Sequence, residues 1–263
     1  MNAPAVADGI DAVPRSAPAA TIFLAIGRAT AVLFFSLCAL IEIAAIMPFV
    51  RAVNRVHVRA AWLHVWCRFA CRVLGIHVRL CGSMPRSGLL VCNHLSYLDI
   101  IVLSSITPCV FVAKANVAAW PLFGWLTRAA GTIFADRRRK LSAAAAIEEI
   151  REAMAEGALV VLFPEGTSSD GSGILPFKST LLQPALDLGC SITAAAIDYS
   201  LSGGSVADEI CYWRDMTLVP HLLNLFTKPV IKSKLVVAPV VFRCGDRKEI
   251  ARALREQIIA TRS

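Results

Sequence analysis

Apolar positions change their spacing twice along this chain, and each change marks a different kind of element. From Thr21 to Pro48 the sequence TIFLAIGRATAVLFFSLCALIEIAAIMP is apolar around its whole circumference, broken only by Arg28 and Glu42, with Pro48 ending it. From Arg51 to Gly75 the pattern becomes mixed. Arg51, Arg55, Arg59, Arg68 and Arg72 alternate at helical spacing with Trp62, Trp66, Phe69 and Leu74. After Ile76 the apolar runs shorten to strand length. IHVRLCG, LLVCN, CVFVAK, TIFAD, ALVVLF, CSITAAAIDY and KLVVAPVV are strand candidates, several of them apolar on both faces as in a sheet covered on both sides. The first two flank Ser83–Gly88 and read as strand–turn–strand. Helices fall between the strands. Leu141–Gly157 has Ser142 as N-cap and a stripe of Ile147, Ile150 and Met154, Ser179–Leu188 is a second, and a third runs from Asp246, with Glu249 completing a capping box, towards Ile259.

This alternation predicts an α/β domain: a mixed, largely buried sheet flanked by helices, preceded by an N-terminal membrane-binding helical pair. Residues 1–20, rich in Ala and Pro, read as a disordered tail, 21–75 as membrane-anchoring helices and 76–263 as the α/β domain. The stretch between Arg28 and Glu42 is 13 residues, short for a span by itself. Two geometries stay open. One is a tilted crossing with Arg28 reaching up to an interface; the other is a helix that dips into one leaflet and returns. The Arg/Trp segment suits a helix at headgroup level, the alternative being a surface helix whose tryptophans face the core. If the first helix spans, the arginines place the domain on the cytoplasmic face of the inner membrane.

Composition narrows the class. The chain is 56% hydrophobic and 17% charged, with mean hydropathy +0.61; ordinary soluble domains carry about 25% charged residues. Disorder is excluded, a freely soluble protein is disfavoured, and a polytopic transporter fails for want of further spans. A net charge of +8 calls for an acidic partner, and anionic lipid or a phosphorylated substrate fits an apolar chain better than DNA or other nucleic acid does. Nine scattered cysteines without a CxxC read as reduced, packed thiols. His57, His64, His77 and His221 lack metal-ligand companions, so no metal is expected.

Three blocks carry chemistry. Asn93-His94-Leu95-Ser96-Tyr97-Leu98-Asp99 follows an apolar strand directly. Five residues apart on a regular helix, His94 and Asp99 would point about 140° from each other. They meet only if His94 lies in the loop and Asp99 in the first helical turn, an arrangement the Ser96/Asp99 capping pattern supports. A carboxylate behind an imidazole fixes its tautomer and suits it to take a proton from a hydroxyl. Phe163-Pro164-Glu165-Gly166-Thr167 closes a second strand and places a carboxylate, hydroxyls and backbone N–H groups where open α/β sheets bind ligands. Gly131-Thr132-Ile133-Phe134-Ala135-Asp136-Arg137 offers a guanidinium at a strand end, suited to a phosphate oxyanion, whereas Arg138, Arg139 and Lys140 read as surface.

Together these blocks resemble the 1-acylglycerol-3-phosphate O-acyltransferase (lysophosphatidic acid acyltransferase) family of the glycerolipid acyltransferase superfamily. Its NHxxxxD motif matches Asn93, His94 and Asp99, its GxxFxxR block Gly131, Phe134 and Arg137, and its FPEGT block Phe163–Thr167. The likeness runs from about Leu74 to about Val241 and includes LPFKS at Leu175–Ser179. One position departs: Ala194 stands where the family's fourth block usually has proline. The resemblance implies acyl transfer, without metal or other cofactor, from acyl-CoA or acyl carrier protein to the free hydroxyl of a membrane lysolipid, most simply 1-acylglycerol-3-phosphate. His94 would act as general base and Asp99 as its support. Arg137, Glu165, Gly166, Thr167, Gly131, Asn93 and Lys178 would bind substrate, with Glu165 accepting a hydroxyl or holding Arg137. FPEGTSSDG followed by LPFKS also resembles the lyso-ornithine lipid acyltransferase branch. A non-catalytic membrane-surface binder and a hydrolase using His94 on water are the other readings.

Overall fold

The computed structural model describes residues 18–136 and 140–262. Arg137, Arg138 and Arg139, and most of the 1–20 tail, lie outside the described residues. All seven strand candidates are strands: β1 (Ile76–Cys81), β2 (Gly88–Cys92), β3 (Val110–Lys114), β4 (Ile133–Ala135), β5 (Leu159–Leu162), β6 (Ile192–Leu201) and β7 (Ile231–Phe242). They form one sheet in the order β1-β7-β6-β2-β5-β3-β4. β7 runs antiparallel to β6 and parallel to β1, while β6, β2, β5, β3 and β4 are mutually parallel. The sheet is mixed, as expected. β1 and β2 are not a hairpin, however, because β7 and β6 lie between them. Ala194 sits where a bulge interrupts the β6–β7 ladder between Thr193 and Ala195, so the departure from proline falls at an irregular position.

The helices are α1 (Pro18–Ile46), α2 (Arg55–Leu74), α3 (Leu98–Ile106), α4 (Phe123–Ala129), α5 (Lys140–Ala155), α6 (Gln183–Asp187), α7 (Val206–Glu209), α8 (Leu218–Phe226) and α9 (Arg247–Arg262). α5 and α9 bury Ile150, Met154, Leu254 and Ile258 against one face of the sheet. α1, α2, α3 and α8 cover the other face through Val32, Leu74, Val102 and Phe226. α9 begins as read: the Asp246 carboxylate accepts from the N–H groups of Lys248 and Glu249. α5 starts before Ser142, whose hydroxyl accepts from Asp136 N–H rather than capping the helix end.

The N-terminal helices differ from expectation in two ways. Arg28 does not reach up to an interface; it is 7% exposed. Its guanidinium donates to the carbonyls of Val73, Phe226, Lys228 and Pro229, thereby capping the carboxyl ends of α2 and α8 together. Gly75, at φ +69°, ends α2 beneath it, and a Cβ there would meet Pro229 O at 2.6 Å and Arg28 Nη2 at 2.7 Å. The tryptophans of α2 also turn inwards. Trp62 is buried with Ala39, Ile43 and Ala130, and Trp66 donates to Glu42 Oε2 at 2.6 Å. The indoles of α2 thus pack on α1. α1 itself leaves Phe23, Phe34 and Ile41 exposed on its outer side and is long and apolar enough to cross a membrane.

Candidate active site

The loop after β2 is held at both ends before any substrate arrives. Asn93 continues the β2–β6 ladder with its side chain: Ile197 N–H donates to Asn93 Oδ1 at 2.8 Å, and Asn93 Nδ2 donates to Ile197 O at 2.9 Å. Asn93 is fully buried, so its amide fixes the loop rather than facing a ligand.

His94 and Asp99 meet as the spacing requires, the imidazole in the loop and the carboxylate in the first turn of α3. His94 Nδ1 lies 2.8 Å from Asp99 Oδ2. The same oxygen accepts from Leu95 N–H at 2.7 Å and Ser96 N–H at 3.0 Å, while Oδ1 accepts from Tyr199 OH at 2.7 Å. Four donors surround a carboxylate with no solvent exposure. They satisfy its oxygens in the interior, and they aim one of them at the ring. The capping box is half made: Asp99 reaches back to Ser96 N–H, but the buried Ser96 hydroxyl finds no partner among the described residues. Because Nδ1 bonds an acid, it carries the proton, and Nε2 is the basic nitrogen. The ring stacks on Phe163 at 4.2 Å between centroids and 17° between planes, and its side chain is 22% exposed. The imidazole is therefore rigid on one side and open on the other.

Glu165 meets a geometry other than the substrate-facing one expected of it. It is 3% exposed and spends Oε1 on His94 N–H and Oε2 on Leu175 N–H, each at 2.8 Å. It clasps the His94 loop to the segment after FPEGT, which Ser169 N–H to His94 O at 3.0 Å reinforces. Burial raises the Glu165 pKa, partly offset by those two backbone donors. Gly166, at φ +72°, turns the chain with its N–H on Phe163 O, leaving Thr167 exposed at the rim. The N–H groups of residues 94–96 are all engaged. Those of Thr167 and Ser168 have no acceptor among the described residues.

Other expected residues lie apart. Gly131 opens β4, three strands from β2, at φ +74° against Arg59 of α2. The Lys178 side chain is exposed and only its backbone, through Pro164 O, touches the FPEGT turn. Arg137 lies outside the described residues. Sequence reasoning missed Tyr199, 100 residues from Asp99 and visible only as a polar-tipped aromatic at the end of a strand. It also missed the aromatic cluster of Tyr97, Tyr212 and His221. There Tyr97 OH lies 2.9 Å from His221 Nδ1, and His221 Nε2 donates to Cys211 O at 3.0 Å. Beside this cluster an apolar cavity of about 180 Å³ runs between α1, α2, α3 and α4, lined by residues including Phe35, Trp66, Leu98, Ile101 and Phe123.

Known proteins resemble this chain in sequence and fold. The Acyltransferase family model matches residues 76–198, from β1 to the β6 residue preceding Tyr199. The lyso-ornithine lipid O-acyltransferase of Rhizobium meliloti is 35% identical over 209 residues, 73% of this chain and 72% of that protein. The 1-acyl-sn-glycerol-3-phosphate acyltransferase of Neisseria gonorrhoeae is 34% identical over 71% of this chain and 74% of its own length. The crystal structure of the acyltransferase PlsC from Thermotoga maritima superposes with a TM-score of 0.63 over 92% of this chain and 93% of its own, at 22% identity, which speaks for the fold. The braced imidazole thus stands within a chain whose identity to curated acyltransferases extends well beyond its motifs, and the chain belongs to the acyltransferase family as an acyltransferase enzyme.

Proposed function

We propose that the enzyme moves a fatty acyl group from a thioester donor, acyl-CoA or acyl carrier protein, to the free hydroxyl of a lysolipid at the membrane surface. The observation that carries this reading is the His94 ring, bonded through Nδ1 to buried Asp99 and open on its other side. Nε2 takes the hydroxyl proton as the oxygen attacks the thioester carbonyl, and Asp99 stabilises the imidazolium that forms. Collapse of the tetrahedral intermediate expels the thiolate, which recovers the proton from His94. The N–H groups of Thr167 and Ser168 are the candidates for the oxyanion, a donor of this kind contributing about 3–4 kcal/mol. No enzyme nucleophile enters. The apolar cavity beside Leu98 and Ile101 offers room for an acyl chain, and the exposed side of α1 offers a bilayer contact on the cytoplasmic face, where thioester donors are made.

For the acceptor we put lyso-ornithine lipid first, on the FPEGTSSDG–LPFKS segment together with the Rhizobium meliloti relative. 1-Acylglycerol-3-phosphate is the second reading, supported by the Neisseria gonorrhoeae relative and by the phosphate-matching chemistry of Arg137. Each presents a hydroxyl near an anionic group. Purified enzyme is offered both lysolipids side by side with one acyl donor, and the product lipid is read by mass. His94→Ala is expected to lower transfer about 10³-fold or more while the protein stays folded. Wild-type rates in that variant refute the base assignment, and free fatty acid released without acceptor replaces transfer with hydrolysis.

A further inference from the structure

The sheet carries a second charged feature that the acyl-transfer site does not use. On β1 and β7, His77 lies directly opposite Lys232, and Arg79 directly opposite Lys234. Directly opposed residues share a face, so three permanent cations and an imidazole form one square on neighbouring strands. All four are exposed, and none has an ion-pair or hydrogen-bond partner among the described residues. An acid does lie directly opposite Lys234 in the β6–β7 ladder, Asp198 on β6, but its carboxylate is taken by Arg262 Nε at 2.7 Å. Arg79 and Lys234, like charges directly across a ladder, destabilise the sheet, and with Asp198 held by Arg262 the excess positive charge of the square is not balanced within the fold. An acidic partner would balance it.

The position of the square narrows the partner. Ile231, Ser233 and Leu235 alternate with the lysines and point to the opposite face, the one covered by α1, α2, α3 and α8. The square therefore looks away from the layer to which α1, with its exposed apolar side, belongs. It borders a shallow depression of about 630 Å³ at the β1–β7–β6 end of the sheet. It is also close to the chemistry. On β6, Ile197 bonds Asn93 and Tyr199 bonds Asp99, while Asp198 between them faces the depression. At about 4.8 Å per strand, β7 stands about 10 Å from β2, whose end delivers His94.

We infer that the face formed by His77, Arg79, Lys232 and Lys234 docks an acidic protein, the carrier that presents the acyl thioester. This rests on the acyl-transfer reading above and makes the carrier protein the donor. A flexible thioester arm crosses the carboxyl edge of the sheet to His94 while the carrier stays on the aqueous side. Cations on such a face act chiefly on encounter and orientation, so their effect falls with added salt.

The test uses the full chain in lipid nanodiscs, one lysolipid acceptor, and two donors: palmitoyl acyl carrier protein and palmitoyl-CoA. In Lys232→Glu/Lys234→Glu the KM for the carrier-protein donor is expected to rise tenfold or more and to lose most of its salt dependence. kcat/KM for palmitoyl-CoA stays within twofold, which also shows that the variant is folded. Lys232→Gln/Lys234→Gln should give an intermediate rise. Three results overturn the docking face: an unchanged KM for the carrier donor, an equal rise for both donors, or a wild-type enzyme that uses palmitoyl-CoA alone. Loss of binding to phosphatidylglycerol vesicles without discrimination between donors makes the face a membrane contact instead and also overturns it. A wild-type enzyme that transfers from neither donor refutes the underlying acyl-transfer reading.

Discussion

Replacing Asp99 by Asn removes a charge while leaving the hydrogen-bond geometry nearly intact. Oδ2 serves three donors, His94 Nδ1, Leu95 N–H and Ser96 N–H, and Oδ1 serves Tyr199 OH. An asparagine amide can set its oxygen towards the three and its NH₂ towards Tyr199, whose hydroxyl turns to accept. On the proposed mechanism, what is lost is the attraction between a carboxylate and the imidazolium formed as the acceptor hydroxyl gives up its proton. With charges about 4 Å apart and an effective dielectric near 20, that attraction is about 4 kcal/mol, or roughly a thousandfold in rate. kcat should therefore fall about 10³-fold at pH 7 with little change in KM for either substrate, followed as thiol release at saturating lysolipid. Thermal unfolding should stay within a few degrees of wild type, because every backbone donor keeps an acceptor. A folded Asp99→Asn enzyme whose kcat lies within tenfold of wild type would refute the electrostatic role given to this carboxylate.

Three further perturbations test other contacts. Tyr199→Phe deletes one donor to the buried carboxylate; a loss of about 2 kcal/mol in denaturant unfolding and about tenfold in kcat is expected, and an unchanged kcat makes the contact purely structural. Arg28→Met strands four carbonyls at the ends of α2 and α8. It should cost about 3 kcal/mol and expose the α1–α2 connection to protease, whereas wild-type resistance means α1 is held otherwise. Burial lowers the pKa of His221 below its usual 6.5, so between those values the unfolded chain binds a proton that the folded chain does not. Stability at this site is thus full above the usual histidine range and lost as pH falls through it. Melting curves from pH 7.5 to 5.5 should show a steeper decline for wild type than for His221→Gln.

The line between sequence and tertiary structure runs between neighbours in the chain and neighbours in space. Period and turn chemistry place the seven strands, the Asp246 cap and the His94–Asp99 pairing, because each depends on residues within a few positions of one another. Nothing local says that β7 and β6 insert between β1 and β2, since strand order is settled by which faces can be covered at once. The contacts that follow from that order were equally invisible. Tyr199 reaches Asp99 only because β6 lies beside β2, and Arg28 turns inwards only because α2 and α8 end together beneath it. Trp62 and Trp66 face α1 for the same reason: an amphipathic pattern specifies that a stripe is buried, while packing alone selects what buries it. The sequence by itself determined that His94 and Asp99 pair, and the tertiary structure decided what holds that pair rigid and which side of it stays open.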